Sequence, residues 1–327
     1  MKGMGSMKKY DVVALGELLI DFTENGRSPQ GNPFYEANPG GAPCNVLSML
    51  TKLGRKTAFI GKVGNDIFGN FLKDVLEEVG IDTLNLMMDD EVRTTLAFVK
   101  TFPDGDRDFS FYRNPGADMM ITEADVDKEL LWNTKIFHFG TLSMTHEGAR
   151  NATKKAIAAA KEAGAVISFD PNLREPLWKS LEEAKEQVAY GLSQCDILKI
   201  SDNEIQWFTG EKDFDAGISK LRVQYDIPLI VLSMGKEGSR AYYKNLRVEA
   251  APFLQETTVE TTGAGDTFGG CCLHYILKCG LHDFDKGKLK EMLTFANAAA
   301  SIITTRKGAL RVMPSKDDVE ALVRKSV

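Results

Sequence analysis

The chain has 327 residues, of which 43% are apolar, so it can bury a sizeable core and is not expected to be disordered. Its 40 basic and 46 acidic side chains give a net charge of −6, and no basic run could hold a nucleic-acid backbone. No uncharged apolar run reaches membrane-spanning length, and the start, MKGMGSMKK, lacks a signal peptide's apolar block. We therefore expect a soluble protein without nucleic-acid or membrane partners.

Six short apolar runs predict buried strands, with longer amphipathic segments between them. The strands are YDVVAL (10–15), TAFIG (57–61), IFHFG (136–140), AVISF (165–169), DILKI (196–200) and LIVLS (229–233). Helices are predicted at 67–79, 151–163, 265–279, 287–304 and 315–325. Gly80 and Gly164 follow the first two helices, as expected at helix C-termini. This alternation predicts an α/β fold with a mostly parallel sheet flanked by helices, as a single domain over 1–327.

One region departs from this pattern. TTLAFVKTF and RDFSFYRN alternate apolar and polar residues around PDGD (103–106), and an Asp-Gly pair between such runs indicates a β-hairpin. Together with the segment after Asp21, the hairpin predicts a small β-sheet outside the main one, from about 20–38 and 92–115. The residues alone leave open whether this sheet is a lid or a surface hairpin.

The stretch VETTGAGDTF (259–268) places small residues before a predicted helix. We expect the strand-like TTVETT (257–262) to lead into Gly263, Ala264 and Gly265. A helix N-terminus has unpaired N–H groups and partial positive charge, so a turn without bulky side chains there can bind phosphate oxygens. Asp266 either caps this helix or accepts a proton from an attacking hydroxyl.

Three further glycine turns follow predicted strands or precede helices: PGGAPCNV (39–46), GKVGNDIFG (61–69) and LSMGKEG (232–238). Walker A and GxGxxG fingerprints are absent from the sequence. In order and spacing, the motifs resemble the two signatures of the ribokinase-like (PfkB) carbohydrate kinases, over about 10–322. Within that family GELLIDF, PGGAPCNV, DPNLREPLW and SDNEIQWFTG are most similar to fructokinases.

The resemblance implies transfer of the γ-phosphoryl group of ATP, with Mg²⁺, to the primary 6-hydroxyl of D-fructose. It implies Asp266 as the catalytic base and the amides of Gly263, Ala264 and Gly265 as the anion hole. The implied sugar-binding residues are Asp21, Gly40, Gly41, Asn45, Arg113 and Arg174. Alternatively, Asp21 could be a turn residue, and each of the two arginines could be a solvated surface residue.

The resemblance also implies a nucleotide site and two cation sites. The ATP-binding residues are Ser233, Gly235, Gly238, Asn297 and Glu204. Glu204 would act on Mg²⁺ through water, but Ser201 stands where the family usually has asparagine. A K⁺ site would use Glu260, Thr262, Ile303, Arg306 and Gly308. Glu260 replaces the family's usual aspartate.

Three rival functions stay open at this point. A 2-keto-3-deoxygluconate kinase or another sugar kinase of the family would need only a changed sugar pocket. A noncatalytic sugar-binding regulator is disfavoured by the intact 263–266 motif, and a nicotinamide oxidoreductase lacks its fingerprint. The five cysteines contain no CxxC pair and the four histidines lack ligand spacing, so we expect reduced thiols and a cytoplasmic location. The protein is expected to be a monomer, or a homodimer through the lid.

Overall fold

The computed structural model describes residues 8–101 and 107–325. In these ranges there are thirteen strands: β1 (Tyr10–Leu15), β2 (Leu19–Arg27), β3 (Pro33–Gly40), β4 (Thr57–Gly64), β5 (Asp82–Asp89), β6 (Leu96–Thr101), β7 (Arg107–Tyr112), β8 (Thr134–Phe139), β9 (Val166–Phe169), β10 (Ile197–Ser201), β11 (Leu229–Ser233), β12 (Ser239–Tyr243) and β13 (Leu246–Ala250). The same ranges contain ten α-helices: α1 (Ala42–Lys52), α2 (Ile67–Glu78), α3 (Lys128–Trp132), α4 (Glu147–Glu162), α5 (Leu181–Gln194), α6 (Asp202–Thr209), α7 (Phe214–Gln224), α8 (Ala264–Cys279), α9 (Lys286–Ile303) and α10 (Lys316–Lys325).

The main sheet has nine strands in the order β13-β12-β11-β10-β9-β8-β1-β4-β5. Its strands are parallel from β11 to β5, while β12 and β13 add an antiparallel hairpin at one edge. The chain first extends outward from β1 to β4 and β5, then returns to β8 on the other side of β1. This reversal opens a crevice at the carboxyl ends of β1 and β8, where such sheets bind ligands.

The core has one layer on each side of this sheet. Val12 and Ala14 of β1 pack in one hydrophobic cluster with residues of α1, α2, α8, α9 and α10. Val13 and Leu15 pack in the other, with residues of α3 to α7. Because neighbouring side chains of a strand point to opposite faces, a continuous apolar run is what a sheet covered on both sides requires.

The small sheet has the order β3-β2-β6-β7. Strands β6 and β7 pair antiparallel, which confirms the predicted hairpin, although its tip at 103–106 lies outside the described residues. Asp21 of β2 stands opposite Ala97 of β6, and Phe22 stands opposite Phe98. The register therefore puts Asp21 on one face of the sheet and the Phe22–Phe98 stack on the other.

The predicted α/β architecture is confirmed, with shifts of a few residues at element ends. One local prediction is wrong: residues 257–262 form no strand. The N–H groups of Val259 and Glu260 instead both donate to the carbonyl of Thr304, at 2.8 and 3.2 Å. The backbone of this segment is thus held by one carbonyl just beyond the end of α9, and not by the hydrogen bonds of a neighbouring strand. Within the described residues, none of the helices is both long and apolar enough to cross a bilayer.

Asp66 links α2 to the segment that enters the small sheet. Its carboxylate accepts hydrogen bonds from the N–H groups of Phe68 and Gly69 in the first helical turn. It also accepts from the N–H and Oγ1 of Thr94, at 2.9 and 2.8 Å. Partial burial raises the pKa of Asp66, but these donors outweigh burial and lower it overall.

We expect Asp66→Ala to reduce the free energy of unfolding by about 1–2 kcal/mol at pH 7, because a helix cap and a tertiary link are lost together. Since the pKa is lower in the folded state, this stabilisation is present above the unfolded pKa and lost as the pH falls through the folded pKa. The gap between wild type and variant should therefore narrow in acid, as measured by urea denaturation. Asp213→Ala is the matched control, because Asp213 caps α7 through Ala216 N alone; equal losses at pH 7 would contradict the added link.

Candidate active site

The glycine turn before α8 has the open geometry that a ligand requires. Gly263 has a φ of 75°, in the left-handed region, and a Cβ there would lie 2.7 Å from the Cβ of Ala309. A Cβ on Gly265 would lie 3.1 Å from Nζ of Lys199. The Ala264 N–H donates to the Thr261 carbonyl at 3.3 Å. The turn thus leads into the positive N-terminus of a 16-residue helix without side chains blocking approach.

Asp266 lies in the first turn of α8 and is bonded across the molecule. Its Oδ2 accepts a hydrogen bond from Nδ2 of Asn45 in α1, at 2.7 Å. Burial raises the pKa of Asp266 above its ordinary value, although the Asn45 bond and the positive charges of Lys199 and Arg174 oppose this. The buried Oδ1 of Asn45 has no hydrogen-bond partner among the described residues. Asp266 and Asn45 together can therefore receive a hydroxyl group.

These residues border a cleft of about 430 Å³ between the main sheet and the small sheet. The small sheet contributes Asp21, Thr23, Asn38, Val99 and Phe111. The charged lining consists of four carboxylates, Glu17, Asp21, Glu260 and Asp266, and two cations, Arg174 and Lys199. Such a wall of acceptors suits a polyhydroxylated, uncharged ligand, with Lys199 placed beside the glycine turn.

Most of the residues predicted for sugar binding come together in this cleft. Asp21, Gly41, Asn45 and Arg174 all line it. Gly40 is buried against Asp21, and a Cβ on Gly40 would lie 2.4 Å from Asp21 Oδ2. Gly40 therefore makes room for the Asp21 carboxylate.

Arg113 is placed differently from the sequence prediction. Its guanidinium is buried, with Nη2 at 2.7 Å from Oδ2 of Asp118. It also donates to Oγ1 of Thr145 at 2.9 Å and to the carbonyl of Leu142, a cleft residue, at 3.1 Å. Arg113 does not line the cleft, so in this conformation it supports the cleft wall rather than facing a sugar.

Lys199 and Asp170 were not predicted from the sequence. Lys199 Nζ lies 2.9 Å from Asp170 Oδ2, and both side chains are buried. Burial lowers the pKa of Lys199, but attraction to Asp170 and Glu204 outweighs burial and raises it overall, so the ammonium stays charged. The available signal was a lysine inside the otherwise apolar run ILKI (197–200), where a charge needs a buried partner.

A second cavity, of about 490 Å³, adjoins the first at the glycine turn. Thr261 and Gly265 line both cavities. Four predicted nucleotide residues, Ser233, Gly235, Gly238 and Asn297, line the second one. Asn297 Nδ2 donates to the carbonyls of Ala250 and Ala251 at 3.1 and 2.9 Å, which holds the β13 exit against α9. Two ligands bound here would meet at Gly265.

Glu204 lies outside the lining of both cavities. Its Oε2 accepts from the N–H and Oγ of Ser201, at 2.9 and 2.8 Å, in a capping box of α6. Its Oε1 accepts from the N–H of Leu173 at 2.8 Å. Both carboxylate oxygens are thus engaged by the protein, and Glu204 acts on the site through its charge, which raises the pKa of Lys199.

The residues predicted for a monovalent cation also lie near one another. The 259–262 segment contacts the turn after α9 through Thr304, and Glu260 Oε1 accepts from the Gly308 N–H at 2.6 Å. The carbonyl of Ile303 accepts from Arg306 N at 3.0 Å. Thr262 borders the cleft. A cation at this turn and the Gly308 N–H would both interact with the carboxylate of Glu260.

Comparison with known proteins identifies this combination of fold and site. Residues 9–316 match the pfkB family of carbohydrate kinases, and the chain belongs to that family. It is 40% identical to fructokinase-2 of Solanum lycopersicum over 315 residues, covering 96% of each chain.

Solved structures agree with this assignment. The fructokinase of Xylella fastidiosa with bound ATP superposes with a TM-score of 0.88 at 30% identity, over 97% of this chain and 98% of that one. A double-mutant fructokinase of Vibrio cholerae with fructose, ADP and a potassium ion gives a TM-score of 0.85 at 28% identity, over 97% and 99%. The resemblance to sugar kinases inferred from the sequence is confirmed.

Proposed function

We propose that this protein is an ATP-dependent fructokinase that phosphorylates the primary 6-hydroxyl of D-fructose, giving fructose 6-phosphate and ADP. The observation that carries the proposal is the meeting of the two cavities at Gly265, beside the carboxylate of Asp266. A sugar hydroxyl near Asp266 and a phosphate chain in the second cavity would be brought together at that point. Phosphoryl transfer depends chiefly on such positioning and on charge stabilisation.

Each chemical role then has a residue. Asp266 accepts the proton of the attacking hydroxyl, and its raised pKa makes it a better base than a solvated aspartate. Charge on the moving phosphoryl group is stabilised by the N-terminus of α8, by Lys199 and by Arg174. The phosphoryl group would form a bond to the sugar oxygen as its bond to the β-phosphate oxygen of ATP breaks, which leaves ADP in the nucleotide cavity.

The Mg²⁺ ion would be held mainly by the nucleotide phosphates and water. Among the described residues, no three His, Cys, Asp or Glu side chains converge on a point that could hold a metal. Mg²⁺ characteristically keeps several waters and binds through substrate phosphates. When bound, the ion neutralises phosphate charge. Glu204, whose oxygens are already bonded, contributes through its charge.

The substrate preference rests on the acceptor-rich lining of the cleft. Glu17, Asp21 and Glu260 face the cleft with negative or acceptor groups, which suit the hydroxyls of a neutral ketohexose. Lys199 is paired with Asp170, and Arg113, which lies outside the lining, is paired with Asp118, so Arg174 is the lining cation that a substrate carboxylate would have to use. A noncatalytic regulator has no need of a carboxylate with a raised pKa beside the junction of two cavities, so the catalytic function is preferred.

We propose that the small sheet, at about 20–38 and 92–115, is a lid over the sugar. Its Asp21 face borders the cleft and would exclude water when a sugar binds.

The opposite face of the small sheet exposes 44% of Tyr35 and 65% of Tyr112 beside the stacked Phe98. A homodimer through the lid would use this face, and light scattering separates it from a monomer. A cytoplasmic location stays a prediction from the five unpaired cysteines.

The substrate assignment predicts the order of activity in a sugar panel. With ATP held constant, we expect kcat/KM to be at least about tenfold higher for fructose than for ribose or 2-keto-3-deoxygluconate, which corresponds to about 1.4 kcal/mol of transition-state discrimination. ADP release measured by a coupled assay gives the values. A preference for 2-keto-3-deoxygluconate would reject the fructose assignment, and sugar binding without ADP release would favour a regulator.

Asp266→Asn is expected to lower kcat by about 10²- to 10⁴-fold, because the base is removed while volume is kept. ATP binding, measured by calorimetry, should be unchanged. In the wild type, kcat should fall as the pH drops through the raised pKa of Asp266, above the ordinary aspartate value of about 3.9. A variant with wild-type turnover would reject Asp266 as the base.

We propose a K⁺ ion at the turn formed by Glu260, Thr262, Ile303, Arg306 and Gly308. The proximity of the 259–262 segment to Thr304 supports it, as does the potassium ion in the Vibrio cholerae relative. Replacing choline by potassium at constant ionic strength should raise the rate. The rate of the Glu260→Asp variant should increase more strongly with potassium, because its shorter side chain no longer reaches the Gly308 N–H and its carboxylate is available to the cation. A flat response in both proteins would contradict the site.

A further inference from the structure

Glu17 is a buried carboxyl that has no role in the catalytic steps described above. It lies two residues beyond β1 and is 4% exposed. It borders the cleft from below, between the crevice at β1 and β8 and the first turn of α1. A buried carboxyl needs compensating hydrogen bonds, so its partners indicate what it holds.

Its partner is the start of helix α1. Oε1 of Glu17 accepts the N–H of Ala42, the first residue of α1, at 2.8 Å. The helix has no other cap of this kind: its N-cap is Gly41, which has no side chain, and its first turn has no acidic residue. The carboxyl group of Glu17, in the loop after β1, therefore supplies the N-terminal acceptor of α1.

The backbone also packs tightly at this point. Gly41 has a φ of 132°, and a Cβ there would lie 2.4 Å from the carbonyl oxygen of Glu17. The first helical hydrogen bond of α1 runs from Asn45 N to the carbonyl of Gly41, at 2.9 Å. Asn45 is thus one turn from the contact with Glu17, and its Nδ2 donates to Asp266. A displacement of Gly41 and Ala42 would move Asn45.

Glu17 also lines a small cavity next to the cleft. This cavity of about 10 Å³ has the size of a single water and is lined by Glu17, Ala42, His138, Thr141 and Asp170, among others. The same Asp170 pairs with Lys199 beside the glycine turn. Glu17 therefore contacts the helix that carries Asn45, and Asp170 pairs with Lys199, which lies beside the glycine turn.

We propose that Glu17 is a positioning residue for the phosphoryl transfer, which fixes the start of α1 and thereby holds Asn45 on the carboxylate of Asp266. It acts through Asn45 and does not need to touch the reacting atoms. The inference depends on the proposed kinase function, since Asp266 is the base whose geometry Glu17 secures.

The test compares Glu17→Ala with Glu17→Gln in the full chain, using fructose and ATP. Glu17→Ala should lower kcat by about 10- to 100-fold, the effect expected of a catalytic group displaced by about 1 Å. The KM for ATP should stay within about twofold, because Glu17 does not line the nucleotide cavity. Glu17→Gln keeps an oxygen acceptor for the Ala42 N–H and should recover most of the lost turnover.

The pH profile separates positioning from simple destabilisation. The Asn45 hydrogen bond lowers the pKa of Asp266, so its loss in Glu17→Ala should move the acid limb of kcat to higher pH. Lys199, Arg174, Glu204 and Asp170, which also act on Asp266, are unchanged in the variant. Burial raises the pKa of Glu17 itself to about 7, so the limb is also measured in Glu17→Gln, which does not ionise and should keep the limb at its wild-type position. Asp213→Ala, which removes a remote helix cap, should lower the melting temperature without shifting this limb.

Each outcome decides the inference. Wild-type kcat and an unshifted acid limb in Glu17→Ala overturn it while leaving the proposed function intact. A wild-type protein that phosphorylates none of the panel sugars overturns the proposed function and the inference with it. If Glu17→Ala does not fold, Glu17→Asp takes its place: the carboxylate is drawn back by about 1.5 Å from Ala42, and a wild-type rate in that variant again overturns the inference.

Discussion

The hydrogen bond between Asn45 and Asp266 joins two helices whose contacting residues lie 221 positions apart in the chain. It exists because α1 and α8 pack on the same face of the main sheet, in one hydrophobic cluster, with their N-terminal glycine turns at the same edge. Parallel strands bring their carboxyl ends to that edge, and the strand order reverses there. The site is thus a consequence of how the sheet is wound.

Three charged or ionisable groups around the cleft have a compensating partner. Lys199 is balanced by Asp170, and Arg113 by Asp118, while the carboxyl of Glu17 meets the N-terminus of α1. Removing one partner of such a pair leaves a buried charge, which costs far more than a surface pair is worth. These pairs keep the wall of the cleft in one arrangement, and desolvation raises the pKa of Asp266 above its ordinary value.

The small sheet shows how a period of two serves two purposes. In β2 and β6, Asp21 and Val99 point to the cleft, whereas Phe22 and Phe98 stack on the other side. A slip of one residue would turn the carboxylate outward and bring the aromatic rings into the sugar site. The T-shaped contact of Phe22 with Phe68 of α2 fixes the register against the main body.

The sequence by itself determined the fold class, the order of most elements and the family, because apolar periodicity and glycine turns are local signals. It also singled out Asp266, Asn45 and Asp21, which the structure brings to one cleft. It could not locate Lys199, Asp170 or Glu17, and it misjudged 257–262, because burial, ion pairing and a shared carbonyl at Thr304 depend on segments distant in the chain. Only tertiary packing decided that Arg113 supports the wall of the cleft and that Arg174 lines it. The local sequence around an arginine does not determine which distant carboxylate will lie within 3 Å of its guanidinium group.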